Sequence, residues 1–285
     1  MPLLLLVSLI WAFSFGLVKH LTAGLDSAFI AATRLAIALL VFLPFLRCRG
    51  LAFPTRLAFA GIGAVQFGLM YLAYNESLRY LKSHEVAVLT LTTPLFVTLL
   101  ADTFDRTFRF RALLAAVLAV IGGGVIVMKT APSAGTVTGV LLIQFSNLAF
   151  AFGQVCYRRL RTQPAQAALR DRDVFGLLYA GAFALTLPAS LARTNFSALP
   201  LNATNLGILL YLGLIASGLG FFLWNLGATR VSAGTLAVLN NLKIPLAVAV
   251  SLVVFRESAD LPRLLVGAAI MAFAVWIAER KPAAG

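Results

Sequence analysis

Ten apolar runs, separated by short loops, dominate this chain of 285 residues. An α-helix needs about 20 apolar residues to cross the ~30 Å hydrocarbon core of a bilayer, and most of the runs approach that length. Hydrophobic residues make up 61% of the chain and charged residues 12%, whereas soluble domains carry about 25% charged residues. The sequence predicts an all-α membrane protein with ten transmembrane helices, at residues 3–19, 27–46, 56–80, 84–101, 110–128, 138–157, 174–192, 204–228, 232–254 and 262–278.

Lysine and arginine are spread over the loops rather than gathered in one patch. The loops on the side of both termini hold twice as many as the loops on the other side, which predicts cytoplasmic termini. The isoelectric point near 10.7 therefore reflects membrane topology and not binding to nucleic acid. We expect a multi-pass protein of the inner cell membrane that contacts lipid and acts as a monomer.

The chain repeats itself at a shift of about 150 residues. Asn75 recurs as Asn225, and Pro94 recurs as Pro245 after one inserted residue. Because each half has five spans, an odd number, the second half must enter the membrane the opposite way round, as in many secondary transporters. The sequence thus predicts two inverted five-helix repeats, at residues 1–130 and 136–281.

Asn240, Asn241, Lys243 and Pro245 interrupt the ninth apolar run near its middle. A lysine at the bilayer centre costs about 2.5–3.5 kcal/mol on insertion scales, so Lys243 must face protein or water. Its ammonium group can pair with a substrate carboxylate, or carbonyls and a neighbouring side chain can hold it as a structural lysine. Because ionisable residues inside membranes are functional by default, we place Lys243 and the two amides in a substrate-binding cavity.

Pro94 and Pro245 stand at matching places in the fourth and ninth spans. A proline inside a helix leaves the carbonyl four residues earlier without its N–H donor, which here affects Thr90 and Asn241. Paired interruptions of this kind point to a transport site, although neighbouring helices also satisfy ordinary kinks. We predict that both prolines are hinges and that Thr90 faces the cavity.

Gln144, Asn147 and Gln154 form one narrow stripe in the sixth span, because their spacing follows the helical period. The stripe faces either a cavity or a neighbouring helix, to which it donates hydrogen bonds. The third and eighth spans add four residues that correspond across the repeat, and the first span adds Trp11. The aromatic ones can also belong to an interfacial belt; the four are Tyr74, Asn75, Trp224 and Asn225.

These features resemble the drug/metabolite transporter superfamily and, within it, the EamA family. The resemblance rests on ten spans in two halves, the early Trp11, Arg34 in the second span, the two matched prolines, and Arg256-Glu257 after the ninth span. Within the family the chain is most similar to YddG-type exporters of aromatic and other amino acids. The resemblance implies a central cavity, lined by spans one, three, four, six, eight and nine, that opens alternately to either side.

We therefore predict a secondary transporter that exports aromatic and other neutral amino acids and related metabolites. No Asp or Glu falls in the middle of a span, so facilitated movement is favoured, although His84 or Lys243 can still carry a proton. The rival within the superfamily is a proton-coupled exporter of drugs or organic cations, whose substrates Lys243 would repel. We take Arg34 for a structural pin, since nothing polar accompanies it in its helix.

Two other classes of protein fit less well. A channel should show a ring of like residues along one pore, and no such pattern is found. A membrane-embedded enzyme needs a catalytic pair or metal cluster, and two His and two Cys without ligand spacing supply neither. We expect no catalytic residue, no metal and no cofactor.

Overall fold

The computed structural model describes residues 2–48, 50–106, 110–127, 134–166, 169–230 and 233–279, without the side chains of 233–242 and of a few other helical positions. Every long element in these ranges is a helix. The first half contributes α1 (Pro2–Thr22), α2 (Ser27–Phe42), α3 (Phe53–Gly63), α4 (Met70–Tyr80), α5 (Ser83–Leu89), α6 (Thr93–Asp105) and α7 (Phe110–Val127). The second half contributes α8 (Ala134–Arg161), α9 (Asp171–Arg193), α10 (Ala203–Leu210), α11 (Gly220–Ala228), α12 (Ala233–Val253) and α13 (Leu261–Glu279).

Three spans are each built from two helices with an irregular turn between them. A π-helical segment, Ala64–Leu69, joins α3 to α4, and a second one, Tyr211–Leu219, joins α10 to α11. A 3₁₀ turn, Thr90–Thr92, joins α5 to α6. The π segments lie in the third and eighth predicted spans, about 150 residues apart, so the recurrence seen in the sequence extends to an unusual backbone geometry. Such segments concentrate at functional sites.

Seven helical stretches among the described residues are long and apolar enough to cross a membrane. They coincide with seven of the ten predicted runs. The other three runs coincide with α7, α12 and α13, of which Lys243–Val253 and Leu261–Ala274 qualify as shorter apolar helices. The all-helical membrane fold is confirmed, whereas the count of ten spans and the inverted arrangement remain predictions.

Helices of the two halves pack against each other throughout the bundle: α1 against α12, α2 against α9, α4 against α8, and α7 against α13. Aromatic rings fill the space between them. Phe67 stacks on Phe221 with ring centroids 4.6 Å apart, and Tyr179 lies 5.4 Å from Phe67 and 5.5 Å from Phe42. Offset ring pairs at such distances add stability beyond their buried area. This core fixes the spans around the site described below.

α3 and α9 approach so closely that glycine is required at the crossing. A Cβ atom on Gly63 would lie 1.9 Å from the carbonyl oxygen of Leu178, and one on Gly181 would lie 1.9 Å from that of Ala60. Small residues allow this backbone approach between membrane helices. A Cβ atom on Gly61, one half-turn before Gly63, would have nothing within 4 Å, so Gly61 faces away from α9.

Gly63→Ala is therefore expected to destabilise the protein, while Gly61→Ala is expected to leave it nearly unchanged. Overpacking costs about 1–3 kcal/mol, and a backbone atom cannot move aside like a flexible side chain, so a fall of about 5 °C or more in unfolding temperature is expected. Thermal unfolding of both variants in detergent measures this. Equal unfolding temperatures would show that α3 and α9 separate freely at this crossing.

Candidate functional site

A cavity of about 80 Å³ lies where helices of both halves meet. Its walls combine aromatic rings with hydroxyl, amide and cationic groups. The lining comes from the six spans that the family resemblance implied and also from α2. The lining residues are Trp11, Ser14, Phe15, Arg34, Met70, Tyr71, Tyr74, Thr90, Thr93, Ser146, Asn147, Phe150, Phe221 and Lys243. Among these described residues there is no carboxylate.

Lys243 reaches this cavity from α12 and is 7% exposed. Its Nζ atom lies 5.0 Å from the ring centroid of Trp11 and 5.9 Å from that of Trp224. The faces of indole rings attract an ammonium group, the more so where water is excluded. The structure thus places a buried ammonium group beside a pair of adjacent indole rings, in the wall of a cavity.

Trp11 is held in place by a hydrogen bond to the eighth span. Its Nε1 donates to the carbonyl oxygen of Ala216 at 2.9 Å, and the hydroxyl of Tyr179 donates to the next two carbonyls, of Ser217 and Gly218, at 2.7 and 2.9 Å. All three carbonyls belong to the π segment Tyr211–Leu219. Side chains from α1 and α9 therefore satisfy the irregular backbone, and in return that backbone fixes the Trp11 ring.

The polar stripe of α8 contacts the turn in the fourth span. Asn147 Nδ2 donates to the carbonyl of Leu89 at 3.0 Å and to Thr92 Oγ1 at 2.9 Å, and Thr92 Oγ1 donates to Gln144 Oε1 at 2.7 Å. The stripe thus makes interhelical hydrogen bonds, one of the two alternatives above. Asn147 also lines the cavity, whereas Gln144 does not.

Pro94 does not leave a free carbonyl, contrary to expectation. It lies in the first turn of α6, where a missing N–H is tolerated. The chain tightens into the 3₁₀ turn just before it, and the Thr90 carbonyl accepts the N–H of Thr93. Thr90 lines the cavity, and its hydroxyl donates to Ala87 O at 2.7 Å. The hinge roles of Pro94 and Pro245 remain predictions.

The amides that recur across the repeat are buried in the packing rather than in the cavity wall. Asn75 Nδ2 donates to the carbonyl of Ser27 at 3.1 Å, and Gln66 Nε2 donates to Asn225 Oδ1 at 3.1 Å. Both asparagines are fully buried. They tie α4 to α2 and the third span to the eighth.

Of the remaining predicted residues, Trp11 and Tyr74 line the cavity. Trp224 is buried beside Trp11, with ring centroids 5.2 Å apart, and flanks Lys243 without lining the cavity. Gln154 is buried on α8, away from it. The side chains of Asn240 and Asn241 lie outside the described residues.

Arg34 has polar partners that the sequence pattern did not reveal. Its Nε donates to Ser217 Oγ at 3.1 Å, and its Nη2 donates to Tyr71 OH at 2.6 Å. It therefore does connect three spans, as a structural pin would. It also lines the cavity, which was not expected. The partners lie on α4 and in the π segment, so no periodicity within α2 could indicate them.

A second polar cluster joins the beginning of α5 to the last turn of α12 and the chain just after it. We call it the Glu257 cluster; its members are Ser83, His84, Ser251 and Glu257. The Glu257 carboxylate accepts hydrogen bonds from Ser83 Oγ at 2.6 Å, Ser251 Oγ at 2.6 Å and His84 Nδ1 at 2.8 Å, and from the Ser83 N–H at 3.0 Å. Nearby, Lys82 Nζ donates to Ser258 Oγ at 2.9 Å. The cluster holds the ends of the fourth and ninth spans together.

The Glu257 cluster has a predictable dependence on pH. Burial alone would raise the pKa of the Glu257 carboxyl, but hydrogen bonds from His84, Ser251 and Ser83 hold that pKa well below its usual range. Because the folded pKa is depressed, the stabilisation is fully present above the unfolded value of about 4.3 and is lost as pH falls through the folded pKa.

Glu257→Gln is accordingly expected to lower the unfolding temperature by a few degrees at neutral pH, since an amide leaves donors of the cluster without an acceptor. The difference from the wild type should stay constant above about pH 5 and narrow only in acid. Unfolding temperatures of both proteins from about pH 4 to pH 8 check this. A difference that instead vanished between pH 6 and 8 would contradict a depressed pKa.

Comparison with known proteins places the chain among membrane transporters. A model of the EamA-like transporter family matches residues 1–128 and 137–279. A protein of Pseudomonas aeruginosa named "Probable biotin transporter" is 41% identical over 283 residues, covering 97% of this chain and 96% of the relative. Proteins named "Biotin transporter" from Salmonella typhimurium and Escherichia coli are 38% identical over 280 residues, covering 97% of this chain and 92% of each relative.

A solved crystal structure superposes on this chain with a TM-score of 0.68 at 19% identity, covering 98% of this chain and 95% of the other. At that identity the match concerns the fold alone. The expected family and its transporter class are confirmed. The narrower resemblance to YddG-type amino-acid exporters is not supported, because these full-length relatives are named for biotin.

Proposed function

This chain belongs to the EamA-like transporter family, and on that premise we propose that the small molecule it carries across the membrane is biotin. Biotin has a carboxylate at the end of an aliphatic chain and a ureido ring fused to a thioether ring. The names of relatives that are 38–41% identical over nearly the whole chain support this assignment. We propose the inner membrane as its location, with both termini in the cytoplasm, because the loop charges favour that orientation.

The structural observation that best supports the proposal is the position of Lys243 in the cavity wall. A carboxylate that leaves water needs a cation, and Lys243 supplies an ammonium group in the cavity wall. The apolar body of the substrate then meets the rings of Trp11, Phe150 and Phe221. Ligand sites commonly combine such apolar walls with a few polar groups that fix orientation.

Neutral amino acids are the competing substrates. Their carboxylate also suits Lys243, but they add an ammonium group that requires acceptors. In the described part of the lining only hydroxyl and amide oxygens, such as those of Thr90, Ser146 and Asn147, serve that purpose. Organic cations are disfavoured further, because Lys243 and Arg34 both repel them.

Alternating access between two five-helix repeats is the mechanism that we propose. Pockets for drug-sized ligands measure about 300–1,000 Å³, so a cavity of about 80 Å³ must widen to admit biotin. The Glu257 cluster closes one end between the fourth and ninth spans, which both contribute to the cavity. When the cluster opens, the substrate is exposed on that side of the membrane. Because no carboxylate in the middle of a span is assigned to a coupling ion, the substrate moves down its own gradient.

The test is counterflow in proteoliposomes that contain the purified protein. Vesicles loaded with unlabelled biotin should accumulate labelled biotin, without a pH gradient, and protein-free vesicles should not. Vesicles loaded with phenylalanine or threonine should fail to accumulate the same labelled amino acid. Exchange of amino acids without exchange of biotin would replace this proposal by amino-acid export, and exchange of a cationic dye alone would replace it by cation export.

A further inference from the structure

We propose that Arg34 forms the second pole of the substrate site and donates hydrogen bonds to the ureido carbonyl of biotin, while Lys243 holds the carboxylate. This assignment rests on the proposed function and goes beyond it. It gives a residue of α2, a span that the family resemblance did not include in the cavity, a direct role in choosing the substrate.

The hydrogen bonds of Arg34 leave one nitrogen of its guanidinium group, Nη1, without an acceptor in the part of the chain that the structure describes. Arg34 is 2% exposed. A guanidinium group has five N–H donors in a rigid fork; Nε bonds Ser217 and Nη2 bonds Tyr71. Nη1 is buried and has no hydrogen-bond partner among the described residues. A buried donor of a charged group that lacks an acceptor is costly, and a carbonyl oxygen in the cavity would relieve that cost.

Both cations line the same cavity, and a chain of aromatic contacts connects them. Lys243 Nζ lies 5.0 Å from the Trp11 ring centroid, Trp11 lies 5.1 Å from Phe221, and Phe221 lies 5.6 Å from Tyr71. Arg34 Cζ is 4.0 Å from the Tyr71 centroid. The rings of Trp11, Phe221 and Tyr71 thus form one continuous apolar wall that reaches both cations, against which the aliphatic chain and the thioether ring can pack.

Hydrogen bonds to two other spans fix the orientation of the Arg34 guanidinium group. Tyr71 OH and Ser217 Oγ lie 2.9 Å apart and share a hydrogen bond, so Nε and Nη2 are both oriented by groups from other spans. Tyr71 also lines the cavity, so its hydroxyl oxygen offers an acceptor for a ureido N–H group. A ureido ring, with one carbonyl between two N–H groups, matches this arrangement of donors and acceptors.

The test compares inhibition of biotin counterflow by unlabelled biotin, by biotinamide and by 2-iminobiotin. Biotinamide lacks the carboxylate, and 2-iminobiotin carries a protonated guanidinium group, with no oxygen acceptor, in place of the ureido carbonyl. In the wild type, 2-iminobiotin should inhibit about ten-fold or more weakly than biotin, because like charges in contact cost several kcal/mol. This comparison needs no variant, so it decides even if changes at Arg34 prevent folding.

Variants then show whether Arg34 contacts the substrate or only supports the packing of the spans. In Arg34→Gln, biotin and 2-iminobiotin should inhibit counterflow at similar concentrations. In Arg34→Lys, which keeps the charge, 2-iminobiotin should remain the weaker inhibitor. Lys243→Met is the matched control. In this variant biotinamide should inhibit as well as biotin does, and 2-iminobiotin should remain weaker than biotin by the same factor as in the wild type.

Equal inhibition of the wild type by biotin and 2-iminobiotin would overturn the assignment, as would an unchanged gap in Arg34→Gln. If biotin and biotinamide inhibited equally in Arg34→Gln, the carboxylate would lie at Arg34, and the assignment would also be overturned. In each of these cases biotin counterflow persists in the wild type, so the proposed function survives. Loss of biotin counterflow itself would instead refute the proposed function.

Discussion

Lys243→Met is expected to weaken the affinity for biotin by about thirty-fold or more. Truncating one partner of a buried, hydrogen-bonded charge pair costs about 2–5 kcal/mol, and every 1.4 kcal/mol is a factor of ten. Methionine keeps much of the length and the apolar stem of lysine, so the packing against Trp11 and Trp224 is retained. The concentration of biotin that gives half-maximal counterflow measures the effect.

Stability distinguishes a binding role for Lys243 from a structural one. Replacing a buried charge by an apolar residue of similar volume is often neutral or stabilising, so the unfolding temperature of Lys243→Met should be unchanged or higher. Lys243→Arg, the matched control, keeps a cation and should lose less affinity. Biotin affinity within two-fold of the wild type in Lys243→Met, together with a lower unfolding temperature, would make this lysine structural.

A disulfide between residues 83 and 251 is expected to abolish transport, and reduction is expected to restore it. Ser83 Oγ and Ser251 Oγ lie 3.1 Å apart in the Glu257 cluster, a separation at which paired cysteines can approach disulfide geometry. If the ends of the fourth and ninth spans must part to release substrate, then a covalent bond across them stops the cycle. Counterflow before and after reductant measures this, in Ser83→Cys/Ser251→Cys protein whose Cys48 and Cys156 are replaced by alanine.

The two single-cysteine proteins control for loss of the serine hydroxyls, and both should transport biotin under oxidising conditions. Full transport by the cross-linked protein would show that the Glu257 cluster is a static part of the scaffold. The gate would then have to lie at the other end of the bundle.

The membrane fold and much of the cavity could be predicted from the sequence, because a bilayer penalises polar side chains that face lipid. That penalty forces Lys243 and Asn147 to face protein or a cavity, and both line the cavity in the structure. Pro94 marked a real break in the fourth span, at the turn Thr90–Thr92, whereas α12 runs through Pro245 as one helix. In that turn the Thr90 carbonyl accepts the N–H of Thr93. This hydrogen bond depends on local packing, which a sequence pattern does not indicate.

Residues whose partners come from other helices were the least predictable. Asn75 and Asn225 recur across the repeat, which indicates a shared structural position but not whether it faces a cavity, and both turned out to be buried in the packing. Arg34 looked isolated because α2 has no other charged residue and no amide, while its partners Tyr71 and Ser217 lie on two different spans. Periodicity within one helix carries no information on such contacts.

The substrate could not be read from residue types alone. A buried ammonium group among indole rings suits any carboxylate with an apolar body, so aromatic amino acids and biotin satisfy Lys243 equally well. The names of the relatives favour biotin, and the contact that we propose at Arg34 would distinguish a ureido ring from a substrate with an ammonium group. Without a second polar contact, the sequence could indicate only the substrate class.

Equilibrium binding of labelled biotin to the purified wild-type protein tests the central claim most directly, since it requires neither a gradient nor a functioning gate. The account predicts saturable binding that unlabelled biotin displaces, and that biotinamide and phenylalanine displace only at much higher concentrations. Absence of saturable binding, or displacement by phenylalanine as effective as that by biotin, would contradict a biotin site built around Lys243.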